Sequence, residues 1–176
     1  MSHIKLLLLL ASLSCLSLHC KKESELDKLP PATAIGANTF GCLLNGKAWP
    51  MGVKGSHYWD VSYQNGILRI TYAIKDDPFN IISKEHVSLR TEKIKGNGIY
   101  LVPFNDYTKD FFSVEFDDNS YFSADQINKL GFASIVINRL DSINHFLSGT
   151  FEFSLFNESG TSQVKVSSGR FDFNYP

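Results

Sequence analysis

Two Asn-Gly pairs, Asn45-Gly46 and Asn65-Gly66, constrain the fold of this chain more than any other feature. A two-residue loop of that composition favours a type I′ turn, because both residues accept positive φ, and the turn dictates which residues face each other across the hairpin. Around Asn65-Gly66 the facing pairs are Tyr63 with Leu68, Val61 with Ile70, Trp59 with Tyr72 and His57 with Ile74, all on one face. The other face carries Ser62 with Arg69, Asp60 with Thr71 and Tyr58 with Ala73, and is largely polar. Turn chemistry and alternation select the same register, and they assign the first face, Trp59 and His57 included, to the core. Around Asn45-Gly46 the same construction sets Cys42 against Trp49 and Phe40 against Met51.

Alternation continues downstream. Val87 and Leu89, then Ile99 to Val102 after the Gly96-Asn97-Gly98 turn, then Phe112, Val114 and Phe116 read as strands, followed by Tyr121 to Ser123. Phe132 to Arg139 is apolar on both faces, as in a central strand. Phe151, Phe153 and Leu155, and finally Phe171, Phe173 and Tyr175, alternate with polar residues. Short runs separated by turn residues indicate an all-β domain. An antiparallel β-sandwich of roughly ten strands is expected rather than a closed or flattened, lipocalin-like barrel, because the strand lengths are uneven. Helical turns are expected only near Ser123–Leu130 and Ile81–Glu85.

The amino-terminal end is different material. Leu6 to Leu18 is apolar, too short to span a bilayer of about 30 Å, and follows Lys5, as in a secretory signal. Cys20 comes next, then Lys21, Lys22, Glu23, Ser24 and Glu25. Residues 1–19 are therefore read as a lipoprotein signal peptide and 20–38 as the lipidated Cys20 with a flexible, Pro-containing tether. Residues 39–176 form one β domain. His19 stands where a lipobox has a small residue, and Cys15, preceded by Ser14, is the alternative site. Acyl chains on Cys20, palmitate among them, contribute about 0.8 kcal/mol per buried CH2, enough to hold the domain at a membrane. The run Lys21-Lys22-Glu23-Ser24-Glu25 resembles the charged sorting stretch of some Bacteroidota lipoproteins, which implies the outer membrane, on its periplasmic face or at the cell surface. Of the three cysteines that leaves Cys42, which cannot form an internal disulfide and is expected to be a buried, inert thiol.

Charge and motif content narrow the function. The net charge of −1 supplies no field for nucleic acid. The sequence holds no phosphate loop, no His-Glu-x-x-His and no paired cysteine motif. His57, His86 and His145 stand apart in sequence, and Asp76-Asp77 and Asp117-Asp118-Asn119 read as turn formers. No catalytic residues, metal or cofactor are expected, and the protein is read as a non-enzyme. Tyr58, Phe104, Tyr107 and Phe111 are the candidate ligand contacts, since aromatics on a strand face or loop can stack on sugar rings or seat a protein partner.

Motifs at both ends of the domain resemble a known family. Thr39-Phe-Gly-Cys-Leu-Leu-Asn-Gly-Lys-Ala-Trp49, preceded by Leu29-Pro-Pro-Ala-Thr33, is similar to the opening of a family of Bacteroidota lipoproteins with a domain of unknown function. Leu147-Ser-Gly-Thr-Phe-Glu-Phe153 and Ser168-Gly-Arg-Phe-Asp172 resemble its closing strands. The resemblance implies a lipoprotein with a β-rich domain and no particular activity. The expected function is a non-catalytic binding or structural module of the cell envelope, with an envelope protein or glycan as partner. The alternatives are a surface glycan-binding module and a β-barrel carrier of a small apolar ligand.

Overall fold

The computed structural model describes residues 23–51, 54–75, 85–106, 108–118, 120–124 and 131–176. These hold eleven strands: β1 (Thr39–Leu44), β2 (Lys47–Trp49), β3 (Ser56–Gln64), β4 (Ile67–Lys75), β5 (Glu85–Thr91), β6 (Gly98–Pro103), β7 (Phe111–Glu115), β8 (Tyr121–Ser123), β9 (Phe132–Asp141), β10 (Phe146–Phe156) and β11 (Gln163–Asn174). They form two antiparallel sheets, a six-stranded one in the order β2-β1-β11-β10-β9-β6 and a five-stranded one in the order β3-β4-β5-β7-β8. The sheets do not close into a barrel. The protein is an antiparallel β-sandwich, as alternation and uneven strand lengths indicate.

Both Asn-Gly turns sit where the sequence puts them. Asn45 and Asn65 take φ of 49° and 51°, and Gly46 and Gly66 follow at 82° and 83°. Tyr63–Leu68, Val61–Ile70, Trp59–Tyr72 and His57–Ile74 pair across β3 and β4 as the turn requires. In the first hairpin Cys42 pairs with Trp49, but Phe40 and Met51 do not meet. Pro50 follows Trp49 and has no N–H for the ladder, so β2 stops there and Met51 is exposed. The helical turns expected near Ser123–Leu130 and Ile81–Glu85 lie largely outside the described residues, and Ser123 and Glu85 themselves are strand ends.

The core is a set of rings from facing sheets. Phe40 of β1 stacks on Tyr72 of β4 at 5.0 Å, and Phe112 of β7 meets Phe153 of β10 edge-on at 5.3 Å. Trp49 meets Tyr72 edge-on at 5.9 Å. Such pairs contribute about 0.5–1.5 kcal/mol each beyond the area they bury. Cys42 is fully buried among them, and burial pushes its thiol far above the ordinary value, so the inert reading of that residue holds. The last strand, β11, lies in the middle of its sheet between β1 and β10.

Two glycines permit close approach. At Gly149 a Cβ would come within 2.2 Å of the Val136 carbonyl oxygen, beside the register shift in the β9–β10 ladder. At Gly41 a Cβ would come within 2.7 Å of Pro30, where β1 shifts register against β11. The second contact explains why the amino-terminal segment can lie flat on the six-stranded sheet.

That segment departs from the flexible tether expected over residues 20–38. Leu29 is buried, and Arg170 donates to the Pro30 carbonyl at 2.9 Å. Asp172, also buried, accepts from the Thr33 hydroxyl at 2.5 Å and from the Ile35 and Gly36 N–H groups at 3.0 and 2.8 Å. Arg139 donates to the Ala34 carbonyl at 3.0 Å. The segment is a strap across the sheet. Its backbone forms neither helix nor strand, so no periodicity announces it, and Arg139, Arg170 and Asp172, which hold residues 30–36, lie more than 100 residues away.

Candidate functional site

The aromatics expected to contact a ligand do not converge. Tyr58 projects from β3 on the outer face of the five-stranded sheet, half-exposed, with the Lys75 ammonium 4.6 Å from its ring centre. Phe104 is buried against Phe112 at 5.2 Å, which corrects its expected exposure. Phe111 is half-buried at the start of β7, paired with Arg90 on β5. The loop between Phe104 and Phe111 is built rather than open. Arg90 donates to the Thr108 and Lys109 carbonyls, and buried Asp110 accepts from the Thr91 hydroxyl at 2.6 Å. Tyr107 and Cys20, with Cys15, lie outside the described residues.

The aromatic that alternation assigns to the core, Trp59, is 42% exposed. It is on the inward face, stacked on Tyr72 at 6.2 Å and on Phe173 at 6.4 Å. But β3 is an edge strand, so the sandwich is open beside it. Alternation identifies which side of a strand faces the partner sheet; it does not say how far that sheet extends. Val61 is buried on the same face, whereas His57, also expected inside, is exposed, with its ring edge-on to Tyr72 at 5.9 Å and its Nδ1 3.2 Å from the Tyr72 hydroxyl. Trp49, edge-on to the same Tyr72 ring, donates its indole N–H to Glu85 at 2.6 Å. An indole over a floor of rings, flanked by an imidazole, is a surface on which a flat apolar face can stack.

The histidines occupy three places. His145 stacks on Tyr175, His57 borders Trp59, and His86 lies on the outer face of the five-stranded sheet. His86 Nδ1 is 3.0 Å from Glu115 and its Nε2 is 3.3 Å from the Ser113 hydroxyl. That is the bonding order of a nucleophile relay, but the serine in it, Ser113, is fully buried. Burial lowers the His86 pKa against the opposing pull of Glu115, so the imidazole is neutral at pH 7 and the chain acts as a polar clasp between β5 and β7.

The outer face of the six-stranded sheet carries two shallow grooves. One, of about 550 Å³, runs between Phe132, Glu152, Phe156, Gln163 and Lys165. The other, of about 490 Å³, lies under the strap between Leu26, Val136, Thr150 and Arg170. Neither is an enclosed interior cavity of the kind a small-ligand carrier needs.

No family model, no curated protein and no solved structure matches this chain.

Proposed function

We propose that the protein is a lipid-anchored outer-membrane lipoprotein whose sandwich serves as a non-catalytic binding or structural module of the envelope. The apolar Leu6–Leu18 run ending at Cys20 carries this reading. Its end motifs, which resemble those of a Bacteroidota lipoprotein family of unknown function, support it. So does the burial of Cys42, which makes that thiol a poor acylation site. Cell fractionation tests it: Cys20→Ala is expected to move the protein from the membrane fraction to the soluble fraction, and unchanged retention contradicts the assignment.

A second reading, surface glycan binding, is favoured by Trp59. Its exposed indole suits the apolar face of a sugar ring, with His57 beside it for a hydroxyl, while Tyr58 and Phe111 lie on the opposite side of the sheet and Phe104 is buried. A glycan array probed with wild type and Trp59→Ala tests this. Hits lost in the variant support it; the same hits in both proteins count against it.

A further inference from the structure

The two outer faces of the sandwich differ in what they show to solvent. Six of the eleven exposed large hydrophobic residues among the described residues, Leu26, Ile35, Ile99, Leu101, Phe132 and Phe156, belong to the outer face of the six-stranded sheet or to the strap lying on it. Ile99, Leu101 and Phe132 are 75%, 66% and 58% exposed. They form one stripe, because Leu101 and Pro103 of β6 pair with Ser134 and Phe132 of β9. The outer face of the five-stranded sheet shows only Tyr58 and Tyr121 among such residues, each with a polar tip. Edge strands are ordinarily blunted by charge. β6 has none.

The start of the strap says what covers this face. Glu25 accepts from the Ala48 N–H on β2, the edge strand opposite β6, and Leu26 lines the groove on the outer side. Cys20 is three residues before Glu23, so its Cα can lie no further than roughly 11 Å from that of Glu23. The stripe at β6 is five strand spacings away, about 24 Å across the same face. We propose that the outer face of the six-stranded sheet rests on the lipid bilayer, tethered at the β2 side by acylated Cys20 and seated at the β6 side by Ile99, Leu101 and Phe132. This rests on the lipoprotein reading above. The grooves between the two contacts offer Glu152, Lys165 and Arg170, the last already bonded to the Pro30 carbonyl, so no large basic patch calls for anionic lipid and the contact is with the interfacial zone of a neutral bilayer. It leaves the opposite sheet and the Trp59 edge facing away from the membrane.

The test uses the full acylated chain reconstituted in phosphatidylcholine vesicles that carry a nitroxide-labelled lipid as quencher. An environment-sensitive fluorophore is placed at Leu101→Cys and, in a second protein, at Asp60→Cys on the opposite sheet. The label at 101 is expected to be quenched several-fold more than the label at 60, with Phe132→Asp reducing the difference. Equal quenching of both labels in protein that floats with the vesicles overturns the proposal and leaves the anchor intact. Protein that fails to float overturns the anchor and the proposal together. A label at 101 that is shielded without quenching, and more so at higher protein concentration, assigns the face to a second copy and also overturns it.

Discussion

Thr33 donates its hydroxyl to the Asp172 carboxylate at 2.5 Å, joining a segment without regular structure to the strand at the centre of the larger sheet. Asp172 also holds the Ile35 and Gly36 N–H groups, so its removal orphans three donors at once. Hydrogen bonds to a charged group contribute about 1.5–3 kcal/mol each, and they share one acceptor here, so Asp172→Ala is expected to lower stability by about 3 kcal/mol in a denaturant titration. Burial acts to raise the Asp172 pKa, but the bonds from Thr33, Ile35 and Gly36 outweigh it and the net shift is downward. A depressed folded-state pKa gives stability that is present above the ordinary carboxylate value and lost as pH falls through the lowered one. The protection factors of the Ile35 and Gly36 amides against hydrogen exchange should therefore fall below about pH 4, and Asp172→Asn should abolish that dependence.

Gly149 and Gly46 make a matched pair. A methyl at 149 meets the Val136 carbonyl at 2.2 Å and the Phe171 ring at 2.7 Å, both packed, so Gly149→Ala must separate β9 from β10. A methyl at 46 has nothing within 4 Å, and only the positive φ of 82° opposes it. Gly46→Ala is expected to cost about 1 kcal/mol and Gly149→Ala about 3 or more, read as shifts in the chemical denaturation midpoint. Equal costs would show that the β9–β10 contact is softer than drawn.

The Trp49–Glu85 bond spans the two sheets, from β2 at the edge of the larger sheet to the start of β5, the middle strand of the smaller one. Glu85→Ala leaves the indole N–H without this acceptor and is expected to destabilise by about 1–3 kcal/mol, while Glu85→Gln, which keeps an oxygen acceptor, should recover most of it. Thermal unfolding of the two variants distinguishes them.

The sheet pairing was more legible than the site, for a physical reason. Asn-Gly turns and alternation are local, so the β3–β4 register could be read residue by residue, and Cys42 opposite Trp49 as well. Where a sheet ends is not local. The same alternation that correctly turned Trp59 inward could not show that β3 is an edge and leaves it open, nor that Phe132, on a strand apolar on both faces, has an outer side facing solvent. Phe104 sits in a loop without periodicity, and only the distant Phe112 reveals that it is core. The strap fails for the same reason: Asp172 lies on the strand's alternating polar set but is buried by residues more than 130 positions earlier.

His86 gives a pH signature of the clasp on the smaller sheet. Burial lowers its pKa, so the unfolded chain takes up a proton at higher pH than the folded one. The stability that this difference supplies is complete above about pH 6.5 and is lost as pH falls toward the lowered folded value. An NMR titration is expected to place the His86 midpoint below that of an unstructured histidine, and His86→Gln should flatten the stability profile across the same window. A midpoint above the ordinary value would mean that Glu115 dominates and the imidazole is charged.

Mass spectrometry of the amino-terminal peptide from membrane-extracted protein tests the central claim most directly. The account predicts a chain that starts at Cys20 and carries covalent acyl groups there. A mature chain with an unmodified Cys20, or one that retains Leu6–Leu18, would contradict it.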